Sequence, residues 1–172
     1  LRTYRQPHRR EDLATAVRLC REHGMKAMID LLIGGPGETA ESAAETIEFI
    51  KRIDPDCAGT SMGIRIYPGT GMVDAVKAEG PLEENPGLRR KYAGEVDFLQ
   101  PTFYISPGLG PEPARLVKDL IAGDQRFFEP TQENPVAGAT DHNYNDNSEL
   151  VDAIAQGARG AYWDILHRLR SA

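Results

Sequence analysis

Cysteine is scarce in this sequence, with Cys20 and Cys57 the two present in 172 residues. They lie far apart, and neither C-x-x-C, C-x-x-x-C-x-x-C nor a Cys/His zinc spacing occurs. This argues against a disulfide scaffold and against a self-contained iron–sulfur or zinc site. Long apolar runs are missing too: none approaches the roughly 20 residues of a membrane span, and no signal-peptide pattern opens the chain. No membrane partner is expected, and a reducing, cytoplasmic setting is. Positive charge is in deficit, the formal net charge being −6. That speaks against a general binder of phosphate backbones, so no nucleic-acid partner is expected. The local basic cluster of Arg5, His8, Arg9 and Arg10 reads as a solvated face. At 172 residues the chain suits one domain and falls short of a complete barrel enzyme. It opens on Leu1 and a basic, polar stretch, which reads as a piece cut from something longer.

What is present is ordinary globular material: 40% hydrophobic and 27% charged residues, enough to fill one core. Over residues 12–23 the apolar side chains Leu13, Ala16, Val17 and Cys20 share one helical stripe, and Gly24 stands where a left-handed C-cap belongs. Residues 25–33 are nearly all apolar, as in a strand of a parallel sheet covered on both faces, and end at Gly34-Gly35-Pro36-Gly37. Thr39 is a good N-cap for a second helix, with Ala43, Ile47, Ile50 and Ile53 on its buried stripe. Residues 60–67 alternate as one strand, with Met62, Ile64 and Ile66 on one face, and residues 72–78 suit a short helix. Helix, strand, helix, strand and helix in this order predict parallel pairing through right-handed crossovers.

Beyond Gly80 eight prolines from Pro81 to Pro135 punctuate the chain. Residues 88–92 read as a short helix, 102–106 as a strand, and 113–122 as a helix carrying Leu116, Val117, Leu120 and Ile121 on one face. Residues 148–168 read as one long amphipathic helix, with Gly157 and Gly160 marking close packing against a neighbour. The fold class is therefore α/β.

Two strand ends could carry chemistry. In Asp30-Leu31-Leu32-Ile33-Gly34-Gly35-Pro36-Gly37-Glu38-Thr39, small residues at the carboxyl end of a parallel strand let a ligand approach the backbone. A plain strand-to-helix turn is the alternative. Neither a Gly-Lys-Ser/Thr ending nor G-x-G-x-x-G is present, which disfavours a phosphate cradle. The second is Gly63-Ile64-Arg65-Ile66-Tyr67-Pro68-Gly69-Thr70, where Arg65 meets either an anionic group or a carboxylate of a neighbouring strand. Glu38 reads as a support of the turn or the helix start rather than as an acid–base catalyst.

Residues 30–39 resemble the fifth-strand motif of radical S-adenosylmethionine (SAM) enzymes, G-x-I-x-G-x-x-E, with Ile33, Gly35 and Glu38 matching and Leu31 departing from the first glycine. Tyr67-Pro68-Gly69-Thr70 is similar to the sixth-strand ending of the same superfamily, especially of members with a cobalamin-binding domain. Phe103-Tyr104-Ile105-Ser106-Pro107 and the arginine-rich opening fit that subgroup. The resemblance implies the C-terminal portion of a partial TIM-like (β/α) barrel over residues 1–80, then a loop-rich, mostly helical and proline-rich extension over 81–172. It implies that the adenine of SAM rests against Ile33, with Gly34 and Gly35 allowing close approach, and meets main-chain groups of Ile66, Tyr67 and Pro68. The intact protein would use SAM, a 4Fe-4S cluster and cobalamin for radical methylation or oxidation of a small-molecule substrate. The three-cysteine loop that holds the cluster in that family is not in this sequence. This part therefore holds none of these cofactors alone, supplies no catalytic residue or metal ligand, partners the missing N-terminal half of its own chain, and is inactive and prone to self-association in isolation.

Two further readings compete. One is a non-catalytic binding or assembly domain that docks a partner through its last helix. The other is a Rossmann-like nucleotide binder, which lacks the fingerprint. Asp141-His142-Asn143-Tyr144-Asn145-Asp146 faintly resembles a calcium loop, but its sixth position is not glycine, and a polar segment before the last helix is the plainer reading.

Overall fold

The structure is a computed structural model and describes residues 8–130 and 148–170. Helix α1 (Arg10–Glu22) buries Val17 and ends at Gly24, whose φ of +67° is the left-handed geometry that the C-cap position asks for. Strand β1 (Met28–Ile33) leads through the glycine turn into α2 (Ala40–Ile53). Thr39 caps α2: its hydroxyl accepts from the Ser42 N–H at 3.3 Å while Ser42 Oγ accepts from the Thr39 N–H at 2.9 Å. Strand β2 (Cys57–Met62) runs parallel to β1, with Ile29 opposite Ala58 and Ile33 opposite Met62.

Pairing within β1 decides what faces what. Ile29, Leu31 and Ile33 pack on the helix side against Ala43, Ile47 and Ile50 of α2 and against Val117 and Ile121 of α4 (Pro113–Ile121). Asp30 and Leu32 point to the opposite face and are exposed, Leu32 by 65%. Strand β6 (Phe127–Phe128), too short to be seen in the sequence, extends the sheet on the far side of β2, giving the order β1-β2-β6, all parallel. Phe127 adds to the same core. Residues from both sides of Gly80 thus build one core.

The strand expected over residues 60–67 is two. Gly63, at φ +83°, breaks it, and β3 (Ile64–Arg65) enters a second, antiparallel sheet of order β3-β5-β4. The residues read as a helix at 88–92 form β4 (Leu88–Arg90) instead, paired to β5 (Thr102–Tyr104) with Leu88 opposite Tyr104. The reason is tertiary: Gly87 lies against the Tyr104 ring, where a Cβ would come within 2.4 Å. Helix α3 (Gly71–Lys77) closes a smaller core of Ile66, Val73, Val76 and Tyr104 beneath this sheet, and the Tyr104 hydroxyl donates to the Glu79 carboxylate at 2.7 Å.

The long last helix is also two elements, α5 (Ser148–Ala155) and α6 (Tyr162–Arg170). Gly157 at φ +101° and Gly160 at φ +122° stop and restart the chain rather than admitting a close neighbour. Leu150, Ile165 and Leu166 form the contact between α5 and α6, with Phe128 packed on them, and Arg170 stacks on the Phe128 ring at 4.3 Å. Among the described residues no helix is long and apolar enough to cross a membrane. The faint calcium loop lies outside the described residues.

Candidate functional site

The loop between β1 and α2 is closed by hydrogen bonds on every side. Pro36 and Gly37, the latter at φ +77°, form the centre of a turn in which the Glu38 N–H donates to the Gly35 carbonyl at 3.0 Å. Proline second and a left-handed glycine third is the type II arrangement. The side chain of Glu38 then folds back, and its Oε2 accepts from the Gly34 N–H at 2.6 Å and the Gly35 N–H at 3.1 Å. Burial pushes the Glu38 carboxyl above its ordinary value, and those two donors only partly oppose the shift. Glu38 therefore braces the turn, as the sequence suggested.

Ser106 ties the same loop to the second sheet. Its N–H donates to the Gly34 carbonyl at 2.8 Å, its hydroxyl donates to the Glu38 carbonyl at 2.7 Å, and its Oγ accepts from the Gly108 N–H at 3.2 Å. Gly34, at φ +111°, has Ile105 Cα 3.3 Å and the Gly63 nitrogen 3.4 Å from where its Cβ would stand. The Gly63 N–H donates to the Ile33 carbonyl at 2.7 Å. The end of β1 at Gly34 and the end of β2 at Gly63 thus lie side by side, with residues 105–106 filling the space over Gly34. No local signal points to a structural role for Ser106; the short run Ile105-Ser106-Pro107 carries no periodicity, and its long-range partners define that role.

The adenine-binding residues inferred from the resemblance divide by exposure. Ile33 is 1% exposed and belongs to the core, Gly34 and Gly35 are buried, and Ile66 is buried beneath the second sheet, its N–H donating to the Thr102 carbonyl at 2.9 Å. Tyr67 and Pro68 are exposed. The side chain that β1 offers on its open face beside this loop is Leu32. The Thr70 hydroxyl donates to the Tyr67 carbonyl at 2.8 Å and closes the Tyr67-Pro68-Gly69-Thr70 turn. Arg65 projects from the exposed face of β3 and stacks over the Tyr67 ring at 4.8 Å. Among the described residues no carboxylate pairs with it, so the neighbouring-strand ion pair considered from sequence is not formed.

A cluster-binding set does not fit these residues. Cys20 is half-buried on α1, and Cys57 is buried on β2, where burial first, and Asp56 and Asp164 second, push its thiol up to about 11. Among the described residues no three His, Cys, Asp or Glu side chains come together as metal ligands.

No protein-family model matches the chain. A tryptophan 2-C-methyltransferase of Streptomyces laurentii is 22% identical over 88% of this chain and 32% of its own length. The radical SAM methyltransferase TsrM from Kitasatospora setae, solved with cobalamin and a [4Fe-4S] cluster bound, matches at a TM-score of 0.73 and 27% identity over 95% of this chain. The same enzyme with tryptophan substrate and a SAM analogue, aza-SAM, matches at a TM-score of 0.74 and 28% identity. The chain covers 36 and 37% of the two solved chains, about a third of the length of the proteins it matches. In both sequence and fold this chain is similar to part of a radical SAM methyltransferase that was solved with cobalamin and a [4Fe-4S] cluster bound.

Proposed function

We propose that this chain supplies the adenine-side and substrate-side walls of a cobalamin-dependent radical SAM methyltransferase, and that the intact protein methylates a small aromatic molecule. The observation that carries this reading is the fold match over 95% of the chain, at 27–28% identity, with an enzyme solved with cobalamin, cluster, SAM analogue and tryptophan. The stapled pair of strand ends supports it. Glu38, Ser106 and Gly63 use the polar groups of residues 33–35 to hold the loop rigid. Leu32 presents an apolar surface next to it, and Tyr67 and Pro68 are exposed beyond the end of β3. A flat neutral base is held by such an apolar wall with a few polar main-chain groups, not by a charged cradle.

When bound in the intact protein, SAM would supply the methyl group. Two cysteines cannot give the three thiolates that a cluster takes, so the cluster ligands come from another part of the protein. What these residues do is position the adenine and exclude water. The test is anaerobic reconstitution of the full-length protein with iron, sulfide and cobalamin, followed by analysis with SAM and aromatic amino acids. Formation of S-adenosylhomocysteine and a methylated product is expected; a protein that takes up no iron–sulfur cluster and does not bind SAM contradicts the reading.

A further inference from the structure

The second sheet turns one face to its core, through Thr102, Tyr104 and Ile66, and leaves the other open. On the open face the pairing sets Arg65 of β3 opposite Phe103 of β5, and Phe103 opposite Arg89 of β4. Residues directly opposite in a ladder share a face, so the three form one cross-strand row with an aromatic ring between two arginines. All three are exposed. Tyr67 joins them: it is 52% exposed, and its ring carries the Arg65 guanidinium. The stacking fixes the orientation of Arg65 without neutralising it. Arg89 is held differently, its Nη1 donating to the Pro86 carbonyl at 2.5 Å. The row therefore offers two aromatic surfaces and one oriented guanidinium that no described carboxylate engages. A guanidinium fork is matched by a carboxylate, which it binds through two parallel hydrogen bonds.

The geometry points to Arg65 as the anchor for the carboxylate of an aromatic amino acid, whose ring lies along Tyr67 and Phe103. This names the substrate class at the strand-end site and rests on the methyltransferase reading above. Arg65 precedes the Tyr67-Pro68-Gly69-Thr70 turn by two residues, so an anchored amino acid sits at the mouth where residues 66–68 are proposed to meet the adenine. Arg65 holds the substrate by its carboxylate and takes no part in bond making.

Calorimetry on the reconstituted full-length protein, with tryptophan and with tryptamine as probes, tests the assignment. Tryptamine keeps the ring and the amine and lacks the carboxylate. Arg65→Met is expected to weaken tryptophan by roughly ten- to a hundredfold, the range for losing a hydrogen-bonded charge pair, and to leave tryptamine unchanged. Arg65→Lys should recover part of the tryptophan affinity, since the charge returns without the fork. Binding of aza-SAM within about twofold of wild type shows that the variants are folded. Equal weakening of both probes, or no weakening of tryptophan, overturns the assignment while the methyltransferase reading stands. If the wild-type protein binds aza-SAM but neither probe, the substrate class is wrong. If it binds no SAM analogue at all, the underlying reading falls and the anchor with it.

Discussion

The N–H groups of Gly34 and Gly35 both point at one oxygen of Glu38, so Glu38→Ala leaves two donors without that acceptor in a half-buried turn. At about 1–3 kcal/mol for each unsatisfied group, a loss of roughly 2–6 kcal/mol is expected in denaturant unfolding. Charge is a separate matter. Burial raises the folded-state pKa of Glu38 above its unfolded value, so its contribution is fully present below that unfolded value and is lost as pH rises through the folded one. Glu38→Gln keeps an oxygen acceptor and carries no charge. It should be at least as stable as wild type at neutral pH and should lack that part of the pH slope. Asp124 has the opposite sign, because its hydrogen bonds from the Arg126 guanidinium hold its carboxyl below the ordinary value. Its contribution is present above the unfolded value and is lost as pH falls through the folded one. Stability curves of Glu38→Gln and Asp124→Asn, each minus wild type, should therefore slope in opposite directions; parallel curves would contradict these assignments.

At the scale of elements, the strand ends depend on two close approaches. Gly108→Ala would put a Cβ 2.5 Å from the Glu38 carbonyl oxygen, and Gly34→Ala would force a non-glycine residue to φ +111° against Ile105. Each is expected to cost on the order of 1–3 kcal/mol and to lower SAM affinity in the full-length protein. Wild-type stability and affinity in both variants would show that the staple is dispensable. The elements that could be read from the sequence were those whose signals are local. The stripe of Ala43, Ile47 and Ile50, the Thr39 cap and the left-handed Gly24 each declare themselves within one or two turns. Strands β3, β4 and β6, of two or three residues each, have no periodicity to declare; their pairing with β5 and β2 makes them strands. The alternation of Met62, Ile64 and Ile66 read as one strand because a break at Gly63 leaves the apolar pattern intact. At the other end, Leu150, Ile154, Ile165 and Leu169 keep helical spacing across Gly157 and Gly160, which hid the corner between α5 and α6. For the site, the sequence marked Glu38 and both strand ends, but not what Ser106 holds together, because its Glu38 and Gly34 partners lie 68 and more residues away.

At the scale of the molecule, β1 ends the parallel sheet of the described residues, and its face away from α2 exposes Asp30 and Leu32. Parallel strands are ordinarily paired on both edges and covered on both faces, and an open, partly apolar edge invites association. The 172-residue chain by itself is expected to sediment as a concentration-dependent mixture of species, and a clean monomer up to about 100 μM would count against an edge that needs a further strand. The strand ends are proposed to hold the adenine of SAM. A crystal structure of the full-length protein with aza-SAM tests it most directly. The account predicts the adenine ring within about 4 Å of Leu32 or the main chain of residues 33–35, with residues 66–68 at its edge. An adenine bound elsewhere in the protein, touching neither strand end, would contradict it.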